Sequence, residues 1–192
     1  MEAEELKHLV KQGDNDSRRR LFEAYYRKTY AVAYNILRSR ENAEDITQDA
    51  FIKAFQNINQ LKDGSKFGAW MAVIASNLAR NYLKREKKVL YTDEEAVTSG
   101  ASEANYTEDA ALRTLDTERV REAIKKLPPE QYQLIVLQYY YDLRVEDIAS
   151  MLKLRIGTVK SRLHRARNRL AQDLELMDDS VCLLSEGGER EK

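Results

Sequence analysis

The chain is poor in the residues that bend and cross-link a backbone. Two prolines and seven glycines among 192 residues leave little turn chemistry. Hairpin-rich β architectures are disfavoured on that ground, and an all-α fold of long helices is expected. The single cysteine, Cys182, can form neither an internal disulfide nor a multi-cysteine zinc site. A reducing compartment follows. No apolar run approaches the length of a membrane span. The acidic start Met1-Glu2-Ala3-Glu4-Glu5 lacks a signal-peptide core. A cytoplasmic protein with no direct membrane insertion is expected. There is no excess of one charge either, since 32 Lys/Arg balance 32 Asp/Glu. Neutrality argues against nucleic acid only where the two signs are mixed.

Catalytic chemistry is absent from the sequence as well. There is no glycine-rich phosphate loop and no Ser-His-Asp spacing. His8 and His164 are far apart and have no Cys or carboxylate at ligand spacing. Cys182 reads as a bystander thiol. No catalytic residue, metal or cofactor is expected.

What remains is helix, and 43% of the residues are hydrophobic, enough for a core. Four helices are predicted over about 3–12, 16–38, 41–59 and 66–88, with Asp16 as the N-cap of the second. Leu21, Phe22, Tyr25, Thr29, Val32, Ala33 and Ile36 share one face of the second helix. Ala43, Ile46, Ala50, Phe51, Ala54, Phe55 and Ile58 keep helical spacing in the third. Leu61–Ser65 reads as a polar loop. In the fourth, Phe67, Trp70, Met71, Ile74, Leu78 and Tyr82 form the expected buried stripe.

Composition then shifts. Between Tyr91 and Glu118 eight acids face one base, Arg113, with Ser, Thr, Ala and Gly between them. A flexible acidic linker is expected over 91–113. Helical spacing resumes from Thr114 and stops at Pro128-Pro129. A helix over about 130–141 follows, packing Tyr132, Ile135, Val136 and Tyr139. After Met177 the pattern fades, and a disordered tail is expected over 178–192. The organisation is thus an N-terminal helical domain (1–90), the linker, a C-terminal helical domain (114–177) and the tail.

The sharpest local signal lies in the C-terminal domain. Val145–Leu152 reads as a short helix, Lys153–Ile156 as a tight turn, and Gly157–Leu170 as a longer helix: a helix-turn-helix. Seven Lys/Arg and no acid fall between Lys153 and Leu170, so the cations of a neutral chain are gathered here. Ile148, Ala149, Leu152, Leu154, Val159, Leu163, Ala166 and Leu170 form a consistent core. That leaves Lys160, Ser161, His164 and Arg165 on the opposite face, able to reach base edges and phosphates. Arg155 and Thr158 stand at the helix start, where backbone amides favour phosphate.

Two further polar faces stand out. Asp45, Gln48 and Asp49 recur at i, i+3 and i+4, opposite the apolar stripe. A solvated helix face and a docking face for a basic partner protein are both compatible with that spacing. In the fourth helix Asn77, Arg80, Asn81 and Lys84 gather on one side. Amides interleaved with cations suit single-stranded or melted DNA. Cations at a helix end also complement the helix dipole. Trp70 reads as core rather than as a stacking platform.

Together these segments resemble the extracytoplasmic-function sigma factors of bacteria, over roughly residues 5–172. Ala43-Glu44-Asp45-Ile46-Thr47-Gln48-Asp49-Ala50-Phe51 resembles the helix that such factors lay on the polymerase β′ subunit. Phe67–Arg85 resembles their −10 recognition helix. Leu127-Pro128-Pro129-Glu130 with Gly157–Arg167 resembles their −35 recognition domain. The resemblance implies that Asp45, Gln48 and Asp49 dock on core RNA polymerase (β and β′ subunits). It implies that Asn77, Arg80, Asn81 and Lys84 engage the −10 element, and that the loop Asn59–Lys66 captures a flipped base. Arg155, Thr158, Lys160, Ser161, His164 and Arg165 would read the −35 element. Promoter DNA and an anti-sigma factor are the further implied partners, and stress response the implied setting. The chain departs from the family pattern at Arg144, Lys153 and Arg155, where a capping Ser or Thr, a Gly and a Pro or Ser are common. In another class, the same helix-turn-helix would suit a stand-alone transcription regulator, although no apolar heptad seam for a dimer is evident.

Overall fold

The computed structural model describes residues 14–90 and 115–186, with side chains over 14–86 and 118–174. The helix expected over 3–12, the linker over 91–113 and residues 187–192 lie outside the described residues. The chain divides into two compact helical units, and no strand occurs among the described residues.

Three helices build the first unit: α1 (Asn15–Leu37), α2 (Arg40–Gln56) and α3 (Phe67–Leu90). Asp14, not Asp16, is the N-cap of α1. Its backbone is extended, and its carboxylate accepts the Ser17 amide at 2.9 Å and also the Ser17 hydroxyl. Asp16 sits inside the first turn, where its charge still faces the positive end of the helix dipole. The Ser17 bonds hold the Asp14 carboxyl below its ordinary pKa. At the other end Arg38 takes a left-handed conformation and Ser39 caps α2 through the Asn42 amide. Two residues therefore reverse the chain, and α1 and α2 pack as neighbours.

The core of this unit is close to the expected one. Leu21, Thr29, Val32, Ala33 and Ile36 of α1 meet Ala43, Ile46, Ala50, Phe51 and Ala54 of α2, all buried. Tyr25 and Phe55 are only half-buried, and Phe22 is partly exposed, with its ring 4.8 Å from Phe51. Leu61–Ser65 is not a polar loop throughout. Leu61 and Gly64 are buried; Leu61 follows the 3-10 turn Ile58–Gln60, and Gly64 opens a second one, Gly64–Lys66.

α3 buries only part of the stripe that apolarity picks out, Phe67 and Met71, and buries small residues beside them. Ala69, Ala72, Val73, Ala75, Ser76 and Ala79 are buried with Phe67 and Met71. Trp70, Ile74, Leu78 and Tyr82 are only half-buried. Small residues face the neighbouring helices because they permit close approach, and Trp70, Ile74, Leu78 and Tyr82 lie towards the side of that face. Gly68 belongs to that packing: a Cβ there would lie 2.9 Å from the Tyr25 ring.

The second unit holds α4 (Leu115–Lys125), α5 (Pro129–Ile135), α6 (Val145–Leu152) and α7 (Ile156–Glu186). Pro128 and Pro129 take the N-cap and N1 positions of α5, where a missing amide costs nothing. α5 passes into a π turn over Val136–Tyr140. The wider turn shifts the helical phase. Tyr139, expected in the core, is consequently 61% exposed. Ala123, Leu127, Tyr132, Leu134, Ile135, Leu137, Ile148, Val159, Leu163 and Ala166 make the core.

α7 continues past Met177 to Glu186, where a disordered tail was expected from residue 178. Leu176, Met177, Leu183 and Leu184 are helix formers, and no Gly or Pro interrupts before Gly187-Gly188. No described helix is long and apolar enough to cross a membrane.

Candidate nucleic-acid interface

The helix-turn-helix is set by its turn. The Lys153 amide bonds back to α6, and the Leu154 amide reaches the Ala149 carbonyl at 2.9 Å. This is a Schellman-type stop, with Lys153 in the left-handed region at φ 54°. The Thr158 and Val159 amides then bond the Arg155 carbonyl at 2.9 and 3.1 Å, opening α7. Arg144 precedes α6 with no side-chain cap. Two of the three departures noted in the sequence are thus accommodated by the backbone, Lys153 with a strained φ and Arg144 with an unfilled cap.

α7 is sharply two-faced. Val159, Leu163 and Ala166 are buried at 0%, 1% and 0% relative exposure. Lys160, Ser161, His164 and Arg165 are all exposed, as is Arg155, while Thr158 is half-buried. Local bonds arrange the exposed row. The Ser161 hydroxyl donates to the Thr158 carbonyl at 3.0 Å, and Asn168 lies 3.3 Å from the His164 ring. Five of the six residues expected to read DNA therefore lie on the first turns and one side of α7, and Arg155 immediately precedes it. Arg162 does not join them. It pairs with Glu130 of α5 at 2.9 Å and ties α7 to the unit.

In the first unit Asp45, Gln48 and Asp49 are exposed on α2 as expected, and Ile52 continues the same face at 56% exposure. Asn77, Asn81 and Lys84 are exposed on α3, and the half-buried Arg80 donates a hydrogen bond to Asn77. Trp70 and Ile74 each stand seven residues, two helical turns, before Asn77 and Asn81, so they continue this outward stripe rather than oppose it. The expectation that Trp70 is core fails for that reason. Sequence reasoning weighted its size; the alanines on the buried face were the better signal.

A side-chain hydrogen bond also joins α2 and α3. The Tyr82 hydroxyl lies 2.8 Å from the Glu86 carboxylate and 3.0 Å from the Asn42 side-chain amide of α2. The bond to Glu86 chiefly, then burial, pushes the phenol pKa up. No group of three or more His, Cys, Asp or Glu able to hold a metal occurs among the described residues. The described residues offer a basic helix face, an amide-and-aromatic stripe and an acidic face.

Comparison with known proteins agrees with this layout. Residues 21–89 match the family model for sigma-70 region 2, and residues 117–170 that for sigma-70 region 4. The chain is 34% identical over 173 residues to the ECF RNA polymerase sigma factor SigW of Bacillus subtilis, covering 86% of this chain and 92% of that protein. It is 31% identical over 181 residues to the ECF RNA polymerase sigma-E factor of Haemophilus influenzae, covering 88% and 94%. Among solved structures it is similar to the sigma factor RpoE of Bartonella quintana, in complex with the anti-sigma factor NepR. That match has a TM-score of 0.63 and 25% identity, and covers 82% of this chain and 96% of that one. CnrH, solved with the cytosolic domain of CnrY, shares the fold at a TM-score of 0.58 and 21% identity, over 89% of this chain and 96% of that one. With both regions matched in order and full-length relatives above 30% identity, this chain belongs to the extracytoplasmic-function RNA polymerase sigma factors.

Proposed function

We propose that the chain is a non-catalytic specificity subunit that brings core RNA polymerase to −35 and −10 promoter elements and promotes melting. The observation that carries this reading is the two-faced α7. Its buried side is complete without Lys160, Ser161, His164 and Arg165, which leaves them for DNA. These four, with Arg155 and Thr158, are assigned to the −35 element. Asn77, Arg80, Asn81 and Lys84 are assigned to the −10 element. Trp70 is added to that face, since a half-exposed indole beside amides suits stacking on an unpaired base.

Asp45, Gln48 and Asp49 are assigned to the β′ subunit, with residues 1–90 and 114–177 as the two working domains. Each contact with promoter DNA is small. Polymerase holds both domains at fixed spacing, which raises the effective concentration of the second once the first is bound. Cytoplasmic residence follows from that partner. An anti-sigma protein is a further partner, as the similar Bartonella sigma factor is solved in complex with one.

The test is in vitro transcription with core polymerase on genomic fragments, followed by start-site mapping. Discrete start sites that share upstream elements and depend on the added chain are expected. Start sites unchanged by the chain, or binding to DNA as a dimer without polymerase, would sink the reading.

A further inference from the structure

Among the described residues, nothing accounts for a glycine at Gly157. A helical glycine is unfavourable relative to alanine. It is retained where φ is positive or where another group comes too close for a Cβ. Neither applies here. Gly157 is not in the left-handed region, and a Cβ built on it would meet nothing within 4 Å. Gly68 shows the contrast, because the Tyr25 ring explains it at 2.9 Å.

The position of Gly157 supplies the missing reason. It is the second residue of α7, exposed, between Arg155 and Thr158. On the helix it falls one turn before Lys160 and Ser161 and two turns before His164, in the middle of the exposed face. The buried side of α7 lies opposite, at Val159, Leu163 and Ala166. A residue there faces outward, into the space a bound duplex would fill.

We infer that Gly157 is a close-approach residue: its missing Cβ lets duplex DNA come against the backbone of α7, so that the neighbouring side chains reach base edges. The inference rests on the proposed −35 role of α7 and adds a residue to it. Side chains set around a bare patch of backbone reach further into the groove than the same side chains held off by a methyl group. Gly157 is thus a positioning residue for Lys160, Ser161 and His164.

The test is Gly157→Ala in the full chain, with two readouts expected to move in opposite directions. Thermal stability of the free chain should rise, because alanine is the better helix former and the space is open. Transcription by the reconstituted holoenzyme from a promoter that needs its −35 element should fall about ten-fold or more, the scale of one lost base contact. Gly157→Val should lose more. Affinity for core polymerase should be unchanged. A Gly157→Ala chain that is more stable and transcribes like wild type overturns the inference. So does one that is less stable, since the glycine would then serve the fold. If the wild-type chain itself directs no start from such a promoter, the sigma reading fails instead.

Discussion

Replacing Lys153 with glycine should stabilise the C-terminal unit. Lys153 is held at φ 54° and ψ 42° between α6 and α7. An L-residue in that region costs about 1–2 kcal/mol from the clash of its Cβ with the following carbonyl. Glycine removes the clash but gives back about 0.5–1 kcal/mol by loosening the unfolded chain. The net gain is centred on about 0.75 kcal/mol. Amides of α7 that exchange by unfolding of the unit should then exchange about two- to five-fold more slowly. Hydrogen exchange read on α6–α7 and α1–α3 peptides localises the effect. Lys153→Ala is the control, since it loses the charge and keeps the Cβ. It should gain nothing comparable. If the glycine variant is no better protected than the alanine variant, the strain argument is wrong.

Three further outcomes follow from features described above. Asp14→Asn should leave a competent cap of α1, so the two chains should differ with pH. The Asp14 carboxyl is held below 3.8, so its contribution is present above that value and is lost as pH falls through the lowered one. Acid melts should therefore bring the asparagine variant ahead of wild type at the lowest pH, and no crossover would contradict the assignment. Lys160→Ala should lower the slope of log affinity against log salt for holoenzyme on promoter DNA by about one, as for a lost phosphate contact. Arg162→Ala should instead chiefly destabilise the unit through loss of the Glu130 pair, and an equal salt effect from both would refute the division. Asp45→Asn with Asp49→Asn should slow association with core polymerase most at low salt and leave folding intact, because both carboxylates are exposed. Association rates that ignore both charge and salt would count against the docking face.

Legibility followed physical scale. The helix-turn-helix could be read from sequence because its core positions, Ile148, Val159, Leu163 and Ala166, are large or strictly periodic, and its cations fall opposite them. The α2 face was legible for the same reason. α3 misled because its buried side is alanine-rich. Burial there reflects how closely helices approach, which a reading by hydrophobic size misses. Tyr139 misled because a π turn shifts phase without leaving a Gly or Pro to mark it. Gly157 was visible as a letter of the motif, but its meaning needed coordinates, since only they reveal that nothing among the described residues crowds it.

The long α7 carries a consequence beyond recognition. Over its 31 residues the five cations all lie within Lys160–Arg169 and the five acids all within Asp173–Glu186. The helix has no net charge, yet its two centres of charge are separated by roughly 20 Å at the usual rise per residue. That polarity runs the same way as the backbone dipole, opposite to the arrangement that steadies a helix. Helix stability is given up for a large electric moment. In the field of a duplex such a rod feels a torque before it feels a contact: the basic end swings in and the acidic end swings away. Salt that shortens the reach of the field to about 8 Å leaves this alignment only to the last moments of approach. A neutral helix is thereby oriented by DNA without being strongly drawn to it.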